Sequence, residues 1–156
     1  MRKVKVVLDT SFLLPILGVE VKEVSRDDLA FLKEISSKVS LLYPSPMLIE
    51  LMGKVLKKAR EQELNSLPVE AIKGLGAILS GTFIEIINPD VQAFTLASQM
   101  WLNGHRDFLD NIAYACSITL NAYFLTLDSE LVSFLRKRKY RVDNVVDMAK
   151  LRKILS

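Results

Sequence analysis

The sequence predicts an α/β protein with a three-layer α/β/α architecture and a central, mostly parallel sheet of about five strands. Short β-rich runs alternate with helical patterns along the whole chain, which is the order of successive β-α-β units. The runs VKVVL, FIEII and YFLTL lack the clean polar–apolar alternation of half-exposed strands, as expected for strands covered on both faces. The 156 residues contain no linker and no repeat, so we expect a single domain spanning 1–156.

The strands are predicted from short runs rich in β-branched and aromatic residues that stop at polar or turn-forming residues. The first run ends at the polar triplet D-T-S, and the second is followed by P-S-P. Asn88 and Pro89 end the third run, because proline cannot donate to a sheet ladder. In chain order the predicted strands cover 4–8, 39–43, 83–87, 123–127 and 142–146.

The helices are predicted from apolar residues three and four apart, together with start and stop signals. Gly18 fits the end of the first short helix, and Ser45 with Pro46 fits the N-cap and first position of the third. Asn103 and Gly104 stop the fifth, and two glycines inside the fourth weigh against its regularity. In chain order the predicted helices cover 10–17, 26–37, 46–63, 68–81, 90–102, 107–120 and 129–138, and the tail forms a last one.

The composition is that of an ordinary folded protein, with 50% hydrophobic and 25% charged residues. The net charge is +3, and basic residues cluster at 54–60 and 136–141, which favours a polyanionic partner such as nucleic acid. Cys116 is the single cysteine, lies in an apolar helical pattern typical of core packing, and fits a reducing cytosol. No apolar run reaches the length of a membrane span, and D-T-S interrupts the N-terminal apolar stretch without a cleavage signal. We therefore expect a cytoplasmic protein with no membrane segment.

Five acidic residues occur where the predicted fold collects side chains at one edge of the sheet. Asp9 and Asp128 come directly after strands, and Asp107 and Asp110 lie at the start of a helix. Glu50 lies early in another helix, as the only charge among the apolar neighbours of M-L-I-E-L-M. Because open α/β sheets bind ligands outside the carboxyl ends of their strands, we expect these side chains to converge.

Each of these acids also has a purely structural explanation. Asp9, Asp107 and Asp128 fit helix N-caps, worth about 1 kcal/mol each. Asp110 fits the third position of a capping box, and Glu50 fits an exposed pair with the lysine four residues later. Capping alone does not require an acid at every one of these starts, because Ser, Thr and Asn also cap helices.

Convergent carboxylates repel one another: one pair at about 4 Å costs on the order of 4 kcal/mol at an effective dielectric constant of about 20. Without a counterion, such groups take up protons or move apart. A divalent cation removes the conflict, and a ligand set made only of oxygens favours Mg²⁺ or Mn²⁺. The absence of an EF-hand loop from the sequence disfavours Ca²⁺. The acids therefore predict a metal centre.

With these motifs the sequence resembles the PIN-domain nucleases, and among them the VapC-like toxins. The matching segments are VKVVLDTS at 4–11, PSPMLIEL at 44–51, DNIAYAC at 110–116 and LTLDSEL at 125–131. They occur in the family's order and cover the chain from residue 4 to about residue 147. The resemblance implies a PIN-like fold and cleavage of single-stranded RNA by metal-activated water.

The resemblance also implies roles for individual residues and partners. The catalytic and metal-binding acids would be Asp9, Glu50, Asp110 and Asp128. Ser11 and Thr126 would be polar supports that orient them, and Asp107 matches a supporting acid of some members. The implied partners are an RNA substrate, a second copy of the chain and an antitoxin that blocks the site. The alternative is a PIN scaffold that binds without cleaving, as in a ribosome-associated or assembly factor, and the presence of all four acids favours activity.

Basic residues near the motifs are candidates for contact with the RNA backbone. They are Lys54, Lys57, Arg136, Lys137 and, before the acidic helix, His105. A solvated helix face explains the four cations equally well, and an ordinary loop position is the simpler explanation for the histidine. Segment 19–38 is longer than in compact members of the family, and the run GVEVKEVSR at 18–26 predicts a flexible arm.

Three other protein classes share part of the pattern. A phosphatase of the haloacid dehalogenase type needs a second Asp two residues after Asp9, where this chain has Ser11. A response-regulator receiver needs paired acids near its start, where this chain has one. The larger 5′-flap nucleases share the acids but need a longer chain with added DNA-binding elements.

Overall fold

The computed structural model describes residues 2–156, which build a five-stranded sheet with helices on both faces. The strands are β1 (Lys5–Leu8), β2 (Ser40–Pro44), β3 (Glu85–Ile87), β4 (Tyr123–Leu125) and β5 (Val145–Val146). All pairs are parallel, and the order across the sheet is β3-β2-β1-β4-β5. The predicted fold class is confirmed, and the number of strands agrees.

The α-helices follow the predicted order along the chain. Within residues 2–156 they are α1 (Arg26–Ile35), α2 (Met47–Glu61), α3 (Val69–Leu79), α4 (Val91–Leu102), α5 (Phe108–Thr119), α6 (Ser129–Lys137) and α7 (Met148–Leu155). In that part of the chain, no helix is long and apolar enough to cross a membrane.

The order of the strands places a ligand-binding position between β1 and β4. The chain moves from β1 to β2 to β3 in one direction, then crosses back to β4 and continues to β5. With right-handed crossovers, α1 to α3 and α4 to α6 cover opposite faces of the sheet. The strand order therefore reverses between β1 and β4, and a crevice opens there at the carboxyl ends of the strands.

The core is centred on β1 and α5. Val6, Val7 and Leu8 of β1 are at most 1% exposed, as expected for the middle strand of a doubly covered sheet. Helix α5 packs on β1, β2 and β4 and also against α4. Cys116 of α5 is buried there, which confirms the prediction of core packing.

A glycine allows α3 to rest directly on the turn at Leu14–Leu17. A Cβ atom on Gly74 would lie 2.1 Å from the backbone oxygen of Ile16, whereas one on Gly76 would meet nothing within 4 Å. Helix α3 is regular despite both glycines. Gly74 is therefore required by a backbone contact, and Gly76 is not.

Three local predictions were wrong. Residues 10–17 form two successive 3₁₀ turns, Thr10–Phe12 and Leu14–Leu17, because Pro15 has no N–H to donate inside a continuous α-helix. Ser45 does not cap α2, since its hydroxyl donates to Asn88 Oδ1 at 2.7 Å. The expected flexible arm is packed instead: Val24 is buried, and Val21 packs against the core.

Candidate metal centre

An open cleft of about 390 Å³ lies at the carboxyl ends of the strands, where the strand order reverses. Asp9 enters it from the end of β1 and Asp128 from the end of β4. Its lining residues are Asp9, Ser11, Val21, Glu23, Glu50, Lys54, Asp107, Asp110, Leu127 and Asp128. The structure thus brings all four principal acids predicted from the sequence into one cleft.

The tightest group in this cleft consists of Glu50, Asp107 and Asp110. Each offers one carboxylate oxygen, and these oxygens all lie within 4.8 Å of one another. Asp107 therefore belongs to this group, although the sequence ranked it as a supporting residue. Carboxylate oxygens at this spacing match the ligands that Mg²⁺ and Mn²⁺ prefer.

Asp9 is positioned by β4 rather than by a helix. Its backbone N–H donates to the Leu125 carbonyl at 3.0 Å, and its Oδ2 accepts from the Thr126 hydroxyl at 2.9 Å. The side chain makes no cap hydrogen bond to the following turn, so the capping explanation does not hold for this residue. Burial raises the pKa of Asp9; the Thr126 hydrogen bond opposes this shift, and the nearby charge of Glu50 adds to it.

Thr126 connects the two strands at the cleft through its hydroxyl group. The hydroxyl donates to Asp9 Oδ2 and accepts the backbone N–H of Asp128 at 3.0 Å. Ser11 lines the same cleft, but within residues 2–156 its hydroxyl has no hydrogen bond to Asp9. The contact expected of a supporting side chain is therefore made by Thr126.

Asp110 and Asp128 form a carboxyl pair. Burial raises the pKa of Asp110 to about 9, and the hydrogen bond with Asp128 and the charge of Asp107 push it in the same direction. Burial also acts to raise the pKa of Asp128, but the hydrogen bond from Asp110 and the backbone N–H groups of Leu131 and Glu130 lower it. In the metal-free protein Asp110 therefore carries the proton and donates it to Asp128, because two charges cannot both be held here.

Two of the acids also cap helices. Asp107 accepts the backbone N–H of Asp110 at 3.1 Å at the start of α5, and Asp128 accepts that of Leu131 at 3.1 Å at the start of α6. Each carboxylate has a second oxygen beyond the one used in its cap. The capping and metal-binding explanations are therefore compatible for these residues.

A buried tyrosine supports the helix that carries Glu50. The Tyr43 hydroxyl donates to the Met47 carbonyl at 2.9 Å and lies 2.8 Å from the Thr10 hydroxyl, so Thr10 is the donor in the second bond. Tyr43 and Thr10 are both fully buried. These bonds connect the residue after Asp9 to the first turn of α2, three residues before Glu50.

Sequence reasoning missed Asn111, which holds the loop before the acidic helix. Its Nδ2 donates to the His105 carbonyl at 2.8 Å and to the Ala97 carbonyl at 3.3 Å. Its Oδ1 lies 2.6 Å from His105 Nδ1, so that ring nitrogen is the donor. The single amide in a mostly apolar, buried helix was the available signal. Sequence reasoning also missed Glu23, which adds a carboxylate to the wall of the cleft.

The predicted RNA-contacting residues fall into different surroundings. Lys54 lines the acid cleft, and Arg136 lines a neighbouring cleft beyond Asp128. Lys57 and Lys137 are exposed and line neither of these clefts. The His105 ring is half-buried, is engaged by Asn111 and packs against Phe134 at 5.2 Å between ring centroids.

Solved structures with the same fold include VapC proteins and VapBC complexes. PAE2754 from Pyrobaculum aerophilum is 15% identical, with a TM-score of 0.64 over 95% of this chain and 92% of that one. The Mycobacterium tuberculosis sarcin-ricin loop cleaving toxin VapC20 is 14% identical, with a TM-score of 0.57 over 82% of this chain and 93% of that one. VapBC2 from Rickettsia felis, bound to a DNA fragment from its promoter, is 14% identical, with a TM-score of 0.57 over 92% and 96%.

These likenesses confirm the PIN-like fold that the sequence predicts. No family model matches the sequence. No curated protein matches it either.

Proposed function

We propose that this chain is a metal-dependent endoribonuclease that cleaves single-stranded RNA, and that it is the toxin of a toxin–antitoxin pair. The observation that carries the proposal is the convergence of carboxylates in one cleft, with the oxygens of Glu50, Asp107 and Asp110 within 4.8 Å of one another. Asp9 and Asp128 line the same cleft. The likeness to VapC20, described as a sarcin-ricin loop cleaving toxin, supports RNA as the substrate.

The residues fit a divalent cation on chemical grounds. Six carboxylates face one cleft with Lys54, and the pKa of Asp110 is raised to about 9 chiefly by burial and by its acidic neighbours. A cation bound there, Mg²⁺ or Mn²⁺, would supply an activated water and would stabilise charge on the phosphate. Asp9, Glu50, Asp110 and Asp128 are the proposed ligands, with Asp107 beside them.

The chain's own residues prepare the site in defined ways. Thr126 holds the Asp9 carboxylate in place, so its second oxygen is fixed relative to the sheet. Asp110 must release the proton that it donates to Asp128 before both can act as anionic ligands. Lys54, on the same wall as Glu50, is placed to contact the phosphate that enters the cleft.

The test is cleavage of a labelled single-stranded RNA by the purified protein with Mg²⁺ or Mn²⁺, with and without EDTA. We expect cleavage with either ion, loss of cleavage in EDTA, and loss in Asp9→Asn. Asp27→Asn is the matched control, because Asp27 is an exposed aspartate of α1 that does not line the cleft. Wild-type rates in Asp9→Asn would rule out the assigned site. RNA binding without cleavage would favour the alternative, a non-catalytic PIN scaffold.

Two partners form part of the proposal. An antitoxin is supported by the solved VapBC complexes that share the fold. A homodimer is supported by two exposed apolar residues on one face of α3, Ile72 and Leu79, which lie seven residues apart. Co-expression with the product of a neighbouring small open reading frame tests the antitoxin, with inhibition of cleavage as the readout. Light scattering of Ile72→Lys beside wild type tests the dimer, and a wild-type monomer would contradict it.

A further inference from the structure

A second cleft lies beside the acid cleft on the same edge of the sheet. It has a volume of about 380 Å³ and lies at the carboxyl ends of β4 and β5. Both clefts are lined by Leu127 and Asp128, so they meet at the residues that follow β4. Leu127 is 37% exposed at this junction. The two clefts together form one continuous surface along the carboxyl edge of the sheet.

Helices α6 and α7 form the walls of the second cleft. Ser129, Ser133 and Arg136 line it at spacings of four and three residues, which is one face of α6. Seven residues of helix span about 10 Å, so Arg136 lies roughly that far along the axis from the end capped by Asp128. Lys150, in the first turn of α7, lines the same cleft.

The second cleft differs from the acid cleft in charge. Lys54 is the single basic residue lining the acid cleft, against six carboxylates, whereas the second cleft has Arg136 and Lys150 against Asp128 and Asp147. Neither of these two cations is in an ion pair with any residue in 2–156. Asp147 also lines this cleft, but it accepts the Lys150 backbone N–H at 2.8 Å as the N-cap of α7. The partial positive charge of the helix start therefore offsets that carboxylate.

We propose that this second cleft is the groove that carries the single-stranded RNA backbone away from the acid cleft, with Arg136 and Lys150 as its phosphate-binding residues. This inference rests on the proposed nuclease function and adds the path that the RNA takes over the surface. Cations without protein partners bind phosphates, and the serine hydroxyls of α6 add donors for phosphate or sugar oxygens. Lys137, next to Arg136 in sequence, lies outside the groove.

Equilibrium binding in EDTA tests the groove independently of cleavage. The probe is a short fluorescein-labelled oligouridylate, followed by anisotropy over a series of salt concentrations. The variants are Arg136→Gln, Lys150→Gln and the double variant, with Lys153→Gln as the matched control. Lys153 is also an exposed lysine of α7, but it lines neither cleft.

Each lost phosphate contact is expected to lower the slope of log Kd against log salt by about 0.7, and hence by about 1.4 in the double variant. Binding of the single variants weakens by about threefold or more at low salt, and Lys153→Gln stays at the wild-type value. Ser133→Glu adds a negative charge to the α6 side of the second cleft and is expected to weaken binding of the oligouridylate as well. All four substituted side chains are exposed, so unfolding curves should match wild type.

The outcomes separate this groove from the proposed reaction. An unchanged slope in the double variant, or equal weakening in Lys153→Gln, overturns the groove, as does a wild-type protein that does not bind the probe. Cleavage with wild-type KM in the double variant also overturns the groove and leaves the nuclease proposal in place. Binding through Arg136 and Lys150 without any metal-dependent cleavage supports the groove and overturns the reaction.

Discussion

Replacing Asp110 by asparagine removes the most perturbed carboxyl group of the cleft while keeping its size. The pKa of Asp110 is raised from 3.8 to about 9, first by burial and then by the hydrogen bond with Asp128 and the charge of Asp107. At neutral pH the residue is therefore protonated in the metal-free folded protein and ionised in the unfolded chain. Wild-type folding must take up a proton here, and folding of the variant does not.

The size of this effect follows from the shift and from what offsets it. Without any compensation, the raised pKa of Asp110 would lower the free energy of unfolding of the wild type by about 4 kcal/mol at pH 7. The lowered pKa of Asp128 offsets part of this loss of stability, because the hydrogen bond from Asp110 stabilises the charge of the Asp128 carboxylate. Asp110 is only half-buried, so solvent screens the remainder. We expect Asp110→Asn to be more stable by about 1–2 kcal/mol, which raises Tm by roughly 2–8 °C for a chain of this length.

The stabilisation should depend on pH in one direction. Below the unfolded-state pKa of 3.8 both states of the wild type are protonated at this position, and the variant has little advantage. The wild type then loses stability relative to the variant as the pH rises from there, and the difference levels off above about 9.

The assay is urea unfolding of EDTA-treated protein over a series of pH values, with Asp27→Asn as the control for an Asp-to-Asn change at an exposed helix start. Adding Mn²⁺ should reverse the order of stability, because a ligand at 100 times its Kd stabilises the wild type by about 2.7 kcal/mol and the variant binds it less. Cleavage of RNA should be lost. A variant that is less stable than wild type without metal, or a difference that does not change with pH, would refute the reasoning.

Three further predictions concern residues that position the site. Gly74→Ala should destabilise the protein by about 2 kcal/mol or more, whereas Gly76→Ala should stabilise it by about 0.5–1 kcal/mol, both measured by urea unfolding. Thr126→Val should lower the free energy of unfolding by about 1–2 kcal/mol, because the Asp9 carboxylate and the Asp128 backbone N–H both lose their hydrogen-bond partner. The affinity for Mn²⁺, measured by calorimetry, should fall as well. Asn111→Ala should cost about 2–4 kcal/mol in urea unfolding, because two carbonyl groups lose their donor, and an unchanged midpoint would contradict the role of this amide.

The location of the acids at the carboxyl ends of the strands could be predicted, because it follows from the order of strands and helices along the chain. A parallel sheet places the residues after its strands on one edge, so Asp9 and Asp128 were expected together before any distance was known. Helix starts supplied the positions of Glu50 and Asp110 in the same way. The strands and helices themselves were predicted to within a few residues, except where Pro15 divides the first helix into two turns.

The detailed partners could not be predicted, because they depend on contacts between distant segments. The Thr126 hydroxyl bonds a carboxylate 117 residues away in the chain, and no local pattern specifies that pairing. The position of Asp9 in the sequence is typical of a helix cap. Only the structure shows that its Oδ2 accepts a hydrogen bond from Thr126, directly after β4. The proximity of Asp107 to Glu50 depends on how α2 packs near the start of α5, which no local sequence pattern specifies.

The two sides of the acid cleft are held in different ways, and this affects which ions the site can accept. Asp9 and the backbone of Asp128 are joined through one hydroxyl across neighbouring strands, whose separation is about 4.8 Å in any sheet. Glu50 comes from the first turn of α2, and Asp107 and Asp110 come from the start of α5, so all three lie outside the strands. We therefore expect a change of ion radius to be taken up by the side chains at these two helix starts, and slow amide exchange should persist at the strand ends while the helix starts respond to the ion.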